Sequence, residues 1–377
     1  MAGTAALALA AAGVAVTGSP TYADDIRDRS WHLQALRIDE VHAITRGAGI
    51  TVAVIDTGVD PHHQDLVGNV LPGVDVTDPA NAGQGQVDTN GHGTSVASLI
   101  AGHGHGVGGR DGVLGVAPEA KILPFDVTDP ETGVVVPGTV ARAIRMAVDA
   151  GADVICVALA GRSEPGDESA IKYAAEHGVV VVAGVGNEGL FVGHPAANPL
   201  ALAATGHDQA GQPVTSVRGV MNSSIDISAP AADMMVALPG NRYGVGRGTS
   251  AATAVVAGVL ALILSVHPGL SRDEQVERIV YTADDLGDEG HDSVFGWGAV
   301  NPLEAITGTP QRPEPTEETT TPALSQEEIT NALQPDEPAG LSAVSLVILA
   351  AFVLLAAGTV VALVWWWRRS LDRPAGP

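Results

Sequence analysis

Residues 51–60 read TVAVIDTGVD: a run of small and β-branched residues, then a carboxylate at Asp56, then Thr57-Gly58. A run with no polar face reads as a strand buried on both sides, as in a parallel sheet covered by helices. Similar runs recur at 121–125, 154–159, 179–185 and 200–205, with helical patterns between them such as VARAIRMAVDA at 140–150 and residues 168–177. Strands alternating with helices predict an α/β fold with a mostly parallel central sheet and helices on both faces. In such sheets ligands bind beyond the carboxyl ends of the strands, so the residues following each strand carry the functional question.

Asp56 ends the first strand and is presented where the chain turns away. His92 lies in NGHGTSVASLIAG, where Gly91 and Gly93 leave room for the imidazole to approach another group before a helix begins. Ser250 lies in GRGTSAATAVVAGVLALI, at the start of a long apolar helix whose N-terminal dipole favours developing negative charge there. Asn187 follows an apolar strand in the turn Gly186-Asn187-Glu188-Gly189. Singly, these are ordinary turn residues, loop residues and helix caps; their combination is what carries information.

Together the segments resemble the subtilisin-like serine peptidases of family S8, with VAVIDTGVD, NGHGTSVASLIAG and GTSAATAVVAG in the order Asp, His, Ser. GVLGVAPEAKILPFDV at 112–127, HPAANPLALAATG at 194–206 and IDISAP at 225–230 extend the match. The resemblance implies that Ser250 is the nucleophile, His92 the general base and acid, and Asp56 the residue that orients and stabilises the imidazole. It implies that Asn187 and the Ser250 amide bind the oxyanion, and that substrate backbone pairs with a strand edge at Ala158, Leu159, Ala160 and Gly161. Three positions depart from the common family pattern. Ala254 stands where a proline is usual, Cys156 where asparagine is common, and Ala158 where serine is common.

Outside the peptidase segment the composition changes twice. Residues 5–16 are apolar and are followed by Gly18-Ser19-Pro20 and Thr21-Tyr22-Ala23, which reads as a signal peptide over 1–23 with cleavage after Ala23, although no Lys or Arg precedes the run. A short extension at 24–40 leads into the peptidase domain at 41–307. Residues 308–340 are rich in Pro, Thr and Glu and predict an extended tether. Residues 341–367, LSAVSLVILAAFVLLAAGTVVALVWWW, hold no charge over more than the ~20 residues that span a bilayer. Arg368 and Arg369 then predict a cytoplasmic tail at 368–377, and a single-pass membrane protein with its catalytic domain outside the cytoplasm. This organisation resembles the mycosins, the membrane-anchored serine proteases of type VII secretion systems, though those compared carry disulfide cysteines and this chain has one cysteine.

The formal net charge of -24 over 377 residues argues against nucleic acid as a partner. The expected partners are a protein or peptide substrate, the membrane, and a type VII secretion membrane complex. No cofactor and no metal is expected at the catalytic residues. His62, His63, His103 and His105 lack the carboxylate or thiolate spacing of a zinc site. Calcium stays open at Asp65, which resembles a calcium ligand position of some subtilisins. Cys156, inside an apolar run, reads as an inert core thiol. Two functions follow. One is an endopeptidase that cleaves exported proteins through an acyl-enzyme; the other is a structural component of a secretion complex with little required proteolysis.

Overall fold

The computed structural model describes residues 23–78, 85–188, 191–219 and 225–312. All of them fall within the first of two compact units, Met1–Pro313; the second, Glu314–Pro377, lies outside them. The expected tether beyond 312, the expected span and tail, and nearly all of the expected signal peptide therefore lie outside the described residues.

In chain order the strands are β1 (Thr51–Asp56), β2 (Val74–Asp75), β3 (His103–His105), β4 (Asp111–Leu114), β5 (Lys121–Asp126), β6 (Val154–Val157), β7 (Val180–Gly184), β8 (Ala201–His207), β9 (Ile227–Pro230), β10 (Met234–Leu238) and β11 (Arg242–Gly246). The helices are α1 (Ala23–Asp28), α2 (Trp31–Ala35), α3 (Ile38–His42), α4 (His92–Ala101), α5 (Thr139–Asp149), α6 (Asp167–Glu176), α7 (Thr249–Val266), α8 (Arg272–Tyr281) and α9 (Pro302–Thr307). Seven strands form one sheet in the order β2-β5-β1-β6-β7-β8-β9, and each pairing in it is parallel. β3-β4 and β10-β11 are separate antiparallel hairpins.

Successive side chains on a strand point to opposite faces, and the core divides accordingly. Val52 and Val54 pack with α4 and α7, whereas Ala53 and Ile55 pack with α5 and α6. That division explains why β1 has no polar face: both of its faces are interior. α7 is long and apolar enough to cross a membrane, yet 83% of its apolar window is buried inside the protein. It is apolar all round because it lies in the core between the sheet and its neighbouring helices.

The chain passes from β5 to β6 across β1, so the strand order reverses where β1 meets β6. A crevice opens beyond the carboxyl ends at such a reversal. Asp56 is the last residue of β1, Ala158 follows β6, and Asn187 lies three residues past β7.

Two expectations are corrected. β6 stops at Val157, two residues before the expected end, and β6 is interior rather than an edge of the sheet. The chain leaves the ladder after Val157; the Ala158 carbonyl accepts from Ser250 Oγ, and Gly161 exchanges both of its backbone hydrogen bonds with His194. The short β2 and the hairpins were not legible as strands, since their residues alternate weakly or are interrupted by glycine.

The N-terminal segment wraps the domain. Ile26 is buried against Val113, Met235 and Ala237. Trp31 Nε1 donates to the Ala232 carbonyl at 2.8 Å, and Arg27 donates to the carbonyls of Gly112 and Gly109 at 3.2 and 3.0 Å. Among the described residues none of this segment lines the cleft described below.

Candidate active site

β1 carries Asp56 into a position with no solvent exposure. Its Oδ1 accepts from His92 Nδ1 at 2.7 Å and from the Thr57 amide at 2.8 Å. Its Oδ2 is buried without a hydrogen-bond partner among the described residues. The Nδ1 proton is committed to the carboxylate, which leaves Nε2 of His92 as the basic nitrogen. Burial pulls the imidazole pKa down, but the charge and hydrogen bond of Asp56, with the charge of Asp88, more than offset it, and the net shift is upward. The His92 side chain remains 19% exposed, open enough to meet a ligand.

His92 begins α4, and that helix start is organised by a residue the sequence did not single out. Asp88 is buried and its carboxylate takes five donors. Oδ1 accepts from Thr57 Oγ1 (3.0 Å), the Asn90 amide (3.1 Å) and the Gly91 amide (2.7 Å); Oδ2 accepts from the amide and hydroxyl of Thr94 at 2.9 and 2.6 Å. It satisfies the amides at the helix start and ties them to Thr57, which follows Asp56. Burial raises the Asp88 pKa more than these bonds lower it. Gly93 is required by space, because a Cβ there would stand 2.0 Å from the Gly58 carbonyl oxygen. The available signal was Asp88-Thr89-Asn90-Gly91, which also reads as an ordinary turn.

Ser250 is the second residue of α7 and its Oγ donates to the Ala158 carbonyl at 3.0 Å, so its hydrogen bond goes there and not to His92. The preceding turn requires Gly248, whose φ is 126° and whose Cβ would fall 2.7 Å from Asn187 Oδ1. Asn187 Oδ1 accepts from the Thr249 amide at 2.8 Å, which fixes which end of the carboxamide is oxygen and leaves Nδ2 as the free donor. Thr215 Oγ1 holds the turn by donating to the carbonyls of Gly186 and Asn187 at 2.9 and 3.0 Å.

His92, Ser250, Asn187, Ala158, Leu159, Ala160 and Gly161 all line one cleft of about 560 Å³, with Asp56 behind His92. Residues from β1, α4, β6, β7 and α7, up to 194 positions apart from Asp56 to Ser250, are thereby gathered at one end of the sheet. Cys156 is buried, and burial followed by the charge of Asp56 pushes its thiol pKa well up, which keeps it protonated and inert. Ala254 is buried within α7, where an amide-bearing residue lets the helix continue without a break.

The remaining histidines do not converge on a metal: among the described residues there is no group of three or more His, Cys, Asp or Glu side chains placed to hold one. Both oxygens of Asp65 are engaged within the protein. Its Oδ1 meets His105 Nδ1 at 2.6 Å and its Oδ2 accepts from the Val113 amide at 2.8 Å. The carbonyls of Gly109 and Gly112 nearby already accept from the cationic Arg27.

The subtilase family model, peptidase S8, matches residues 47–298, and the chain belongs to that family. It is 36% identical to subtilisin NAT from Bacillus subtilis subsp. natto over 264 residues, which is 68% of this chain and 65% of that protein. The match thus spans just under two thirds of the length of that relative. It is 34% identical over 280 residues to thermitase from Thermoactinomyces vulgaris, covering 74% of this chain and 96% of thermitase. Among solved structures it is similar to the serine protease MycP1, described as an essential component of the type VII (ESX-1) secretion system, at 32% identity and a TM-score of 0.66, covering 77% of this chain and 90% of that one.

Proposed function

We propose that the chain is a serine endopeptidase in which Ser250 is the nucleophile, His92 the general base and acid, Asp56 its orienting carboxylate and Asn187 an oxyanion donor. The observation that carries this is the 2.7 Å His92–Asp56 contact beside a cleft that also holds Ser250 and Asn187. On substrate binding the Ser250 hydroxyl exchanges its Ala158 acceptor for His92 Nε2, a tightening common in such sites. Oγ then attacks the peptide carbonyl as its proton passes to Nε2. His92 returns that proton to the leaving amine as the C–N bond breaks, and water, activated by the same imidazole, hydrolyses the acyl-enzyme. Asn187 Nδ2 and the Ser250 amide receive the oxyanion; losing one such donor costs about 3 kcal/mol of transition-state stabilisation. Substrate backbone runs along residues 158–161. A serine-directed fluorophosphonate probe tests this: the wild-type protein labels and the Ser250→Ala variant does not, and a silent wild type defeats it.

The apolar stretch 341–367 followed by Arg368 and Arg369 supports a single membrane span with the peptidase domain outside the cytoplasm. The likeness to MycP1 supports association with a type VII secretion complex and exported proteins as substrates. Extraction in mild detergent is expected to retain partner membrane proteins, and a strictly monomeric span would count against the association. The structural alternative is separated by a Ser250→Ala strain: secretion that continues normally would mean that the protein matters to the complex as a brace.

A further inference from the structure

Asn187 is held from two directions. Its side-chain oxygen is fixed by the Thr249 amide, and its main chain by Thr215, 28 positions further along the chain in the segment after β8. Thr215 is buried and stands outside the lining of the cleft. Its Oγ1 accepts from the Val217 amide at 3.1 Å, which directs the single hydroxyl proton to the opposite side. There the carbonyls of Gly186 and Asn187 share it, at 2.9 and 3.0 Å. These carbonyls belong to the two peptide planes that flank the Asn187 Cα, so one hydroxyl sets both planes. No other group among the described residues donates to either carbonyl. Gly186, with a φ of 102° and no Cβ, lends the turn little stiffness of its own. Thr215 is itself anchored: the Val214 amide donates to the Gly206 carbonyl of β8 at 3.0 Å, and Arg218 donates to the carbonyls of Thr215 and Val217 at 3.0 and 2.8 Å.

We propose that Thr215 is a positioning residue for the oxyanion site: by fixing both peptide planes it sets where Asn187 Nδ2 stands when negative charge develops on the substrate. This rests on the endopeptidase reading above. A preorganised donor is effective only when its supporting contacts hold it within about 0.5 Å of the productive place. The Thr249 contact orients the carboxamide but leaves the Cα from which it hangs free to shift with the turn. The Thr215 hydroxyl removes that freedom. Its loss should therefore weaken binding of the transition state and leave binding of the ground state as it was, because the rest of the cleft is built from other segments.

The rate at which a fluorophosphonate labels the full-length chain in detergent tests this. Ser250 Oγ displaces fluoride from phosphorus, its proton passing to His92, and the phosphonyl oxygen takes the place of the peptide oxyanion. Labelling over a range of probe concentrations gives a maximal rate and a half-saturating concentration, and the end point counts folded sites. Thr215→Val is expected to lower the maximal rate about tenfold to a hundredfold, with the half-saturating concentration and the end point unchanged. Thr215→Ser, which keeps the hydroxyl, is expected to label as the wild type does. Asn187→Ala is expected to label slowly, and adding Thr215→Val to slow it no further, because the donor being positioned is gone. An unchanged maximal rate, an effect confined to the half-saturating concentration, or an equal further loss in the Asn187→Ala background would each overturn the proposal. So would a valine variant that loses its end point while the serine variant keeps it, since the hydroxyl would then serve stability alone. A wild type that labels, with Thr215→Val unaffected, removes only the role of Thr215; a silent wild type removes the endopeptidase reading and this one with it.

Discussion

His92 Nδ1 meets Asp56 Oδ1 at 2.7 Å, and His105 Nδ1 meets Asp65 Oδ1 at 2.6 Å, with both carboxylates fully buried. The two pairs are nearly superimposable as local chemistry and sit in different settings. Asp56 ends a central strand, and its histidine opens on a cleft with Ser250 and Asn187. Asp65 lies in a loop where Val113 takes its second oxygen and the Tyr243 hydroxyl stands 3.4 Å from His105 Nδ1, so the pair joins that loop to β4 and β11. A carboxylate–imidazole contact is thus a means of holding a ring; what the ring's other nitrogen faces decides whether it holds structure or supports chemistry.

The sharpest way to break this comparison is to disable each pair and measure kcat/KM on a peptide substrate. Ser250→Ala is expected to lower turnover on the order of 10⁶-fold, the size of loss found for this group in a subtilisin. Asp56→Asn should cost about 10⁴-fold through the wrong imidazole tautomer. Asp65→Asn is expected to leave turnover per folded molecule unchanged. Equal losses at Asp56 and Asp65 would erase the distinction.

Asn187→Ala comes next, with an expected loss of about 10²–10³-fold in kcat and little change in KM, because the donor acts on charge that develops in the transition state. Steady-state kinetics would expose a KM-dominated effect, which would place Asn187 in ground-state binding instead.

Two buried histidines without a carboxylate on their rings provide the contrast to both pairs. Burial, followed by the charge of Arg27, lowers the His32 pKa to about 4, and burial lowers that of His207 to about 4 although Asp208 opposes it. Each is neutral when folded and binds a proton near pH 6.5 when unfolded, so the stability it contributes is present above that pH and is lost as pH falls toward 4. The loss amounts to about 3 kcal/mol for His32. Thermal unfolding of the Ser250→Ala protein should show a falling Tm across that window, and His32→Leu should flatten it; an unchanged slope would contradict the assignment.

His105→Ala, which strips Asp65 of one partner, is expected to cost about 1–3 kcal/mol of stability by denaturant unfolding, with activity retained in the folded fraction. The smallest effect concerns Asp88. His92 must be neutral to act as a base, and its raised pKa places the acidic limb of kcat/KM above the pH of an ordinary histidine. Removing one of the charges that raise it, in Asp88→Asn, is expected to move that limb to lower pH. A limb that stays in place would confine Asp88 to holding the helix start.

The parallel α/β architecture was legible because the core strands are apolar on both faces and the intervening helices are not. β1, β5, β7 and β8 fall within a residue or two of the expected runs. β2 and the hairpins were not, because a two-residue strand or a glycine-broken hairpin leaves no periodic trace. Asp88 was hidden for a different reason: its five donors come from residues whose individual roles look like ordinary turns.

By itself the sequence determined the sheet, its two covered faces and the identity of the residues at the strand ends, since burial dictates residue type directly and locally. The tertiary structure alone decided that a second histidine–aspartate pair forms away from the cleft, that Ser250 Oγ donates to the Ala158 carbonyl, and that residues 158–161 follow an interior strand and not an edge of the sheet. These depend on where separate segments end relative to one another in space, a relation that arises only when the strands pack side by side.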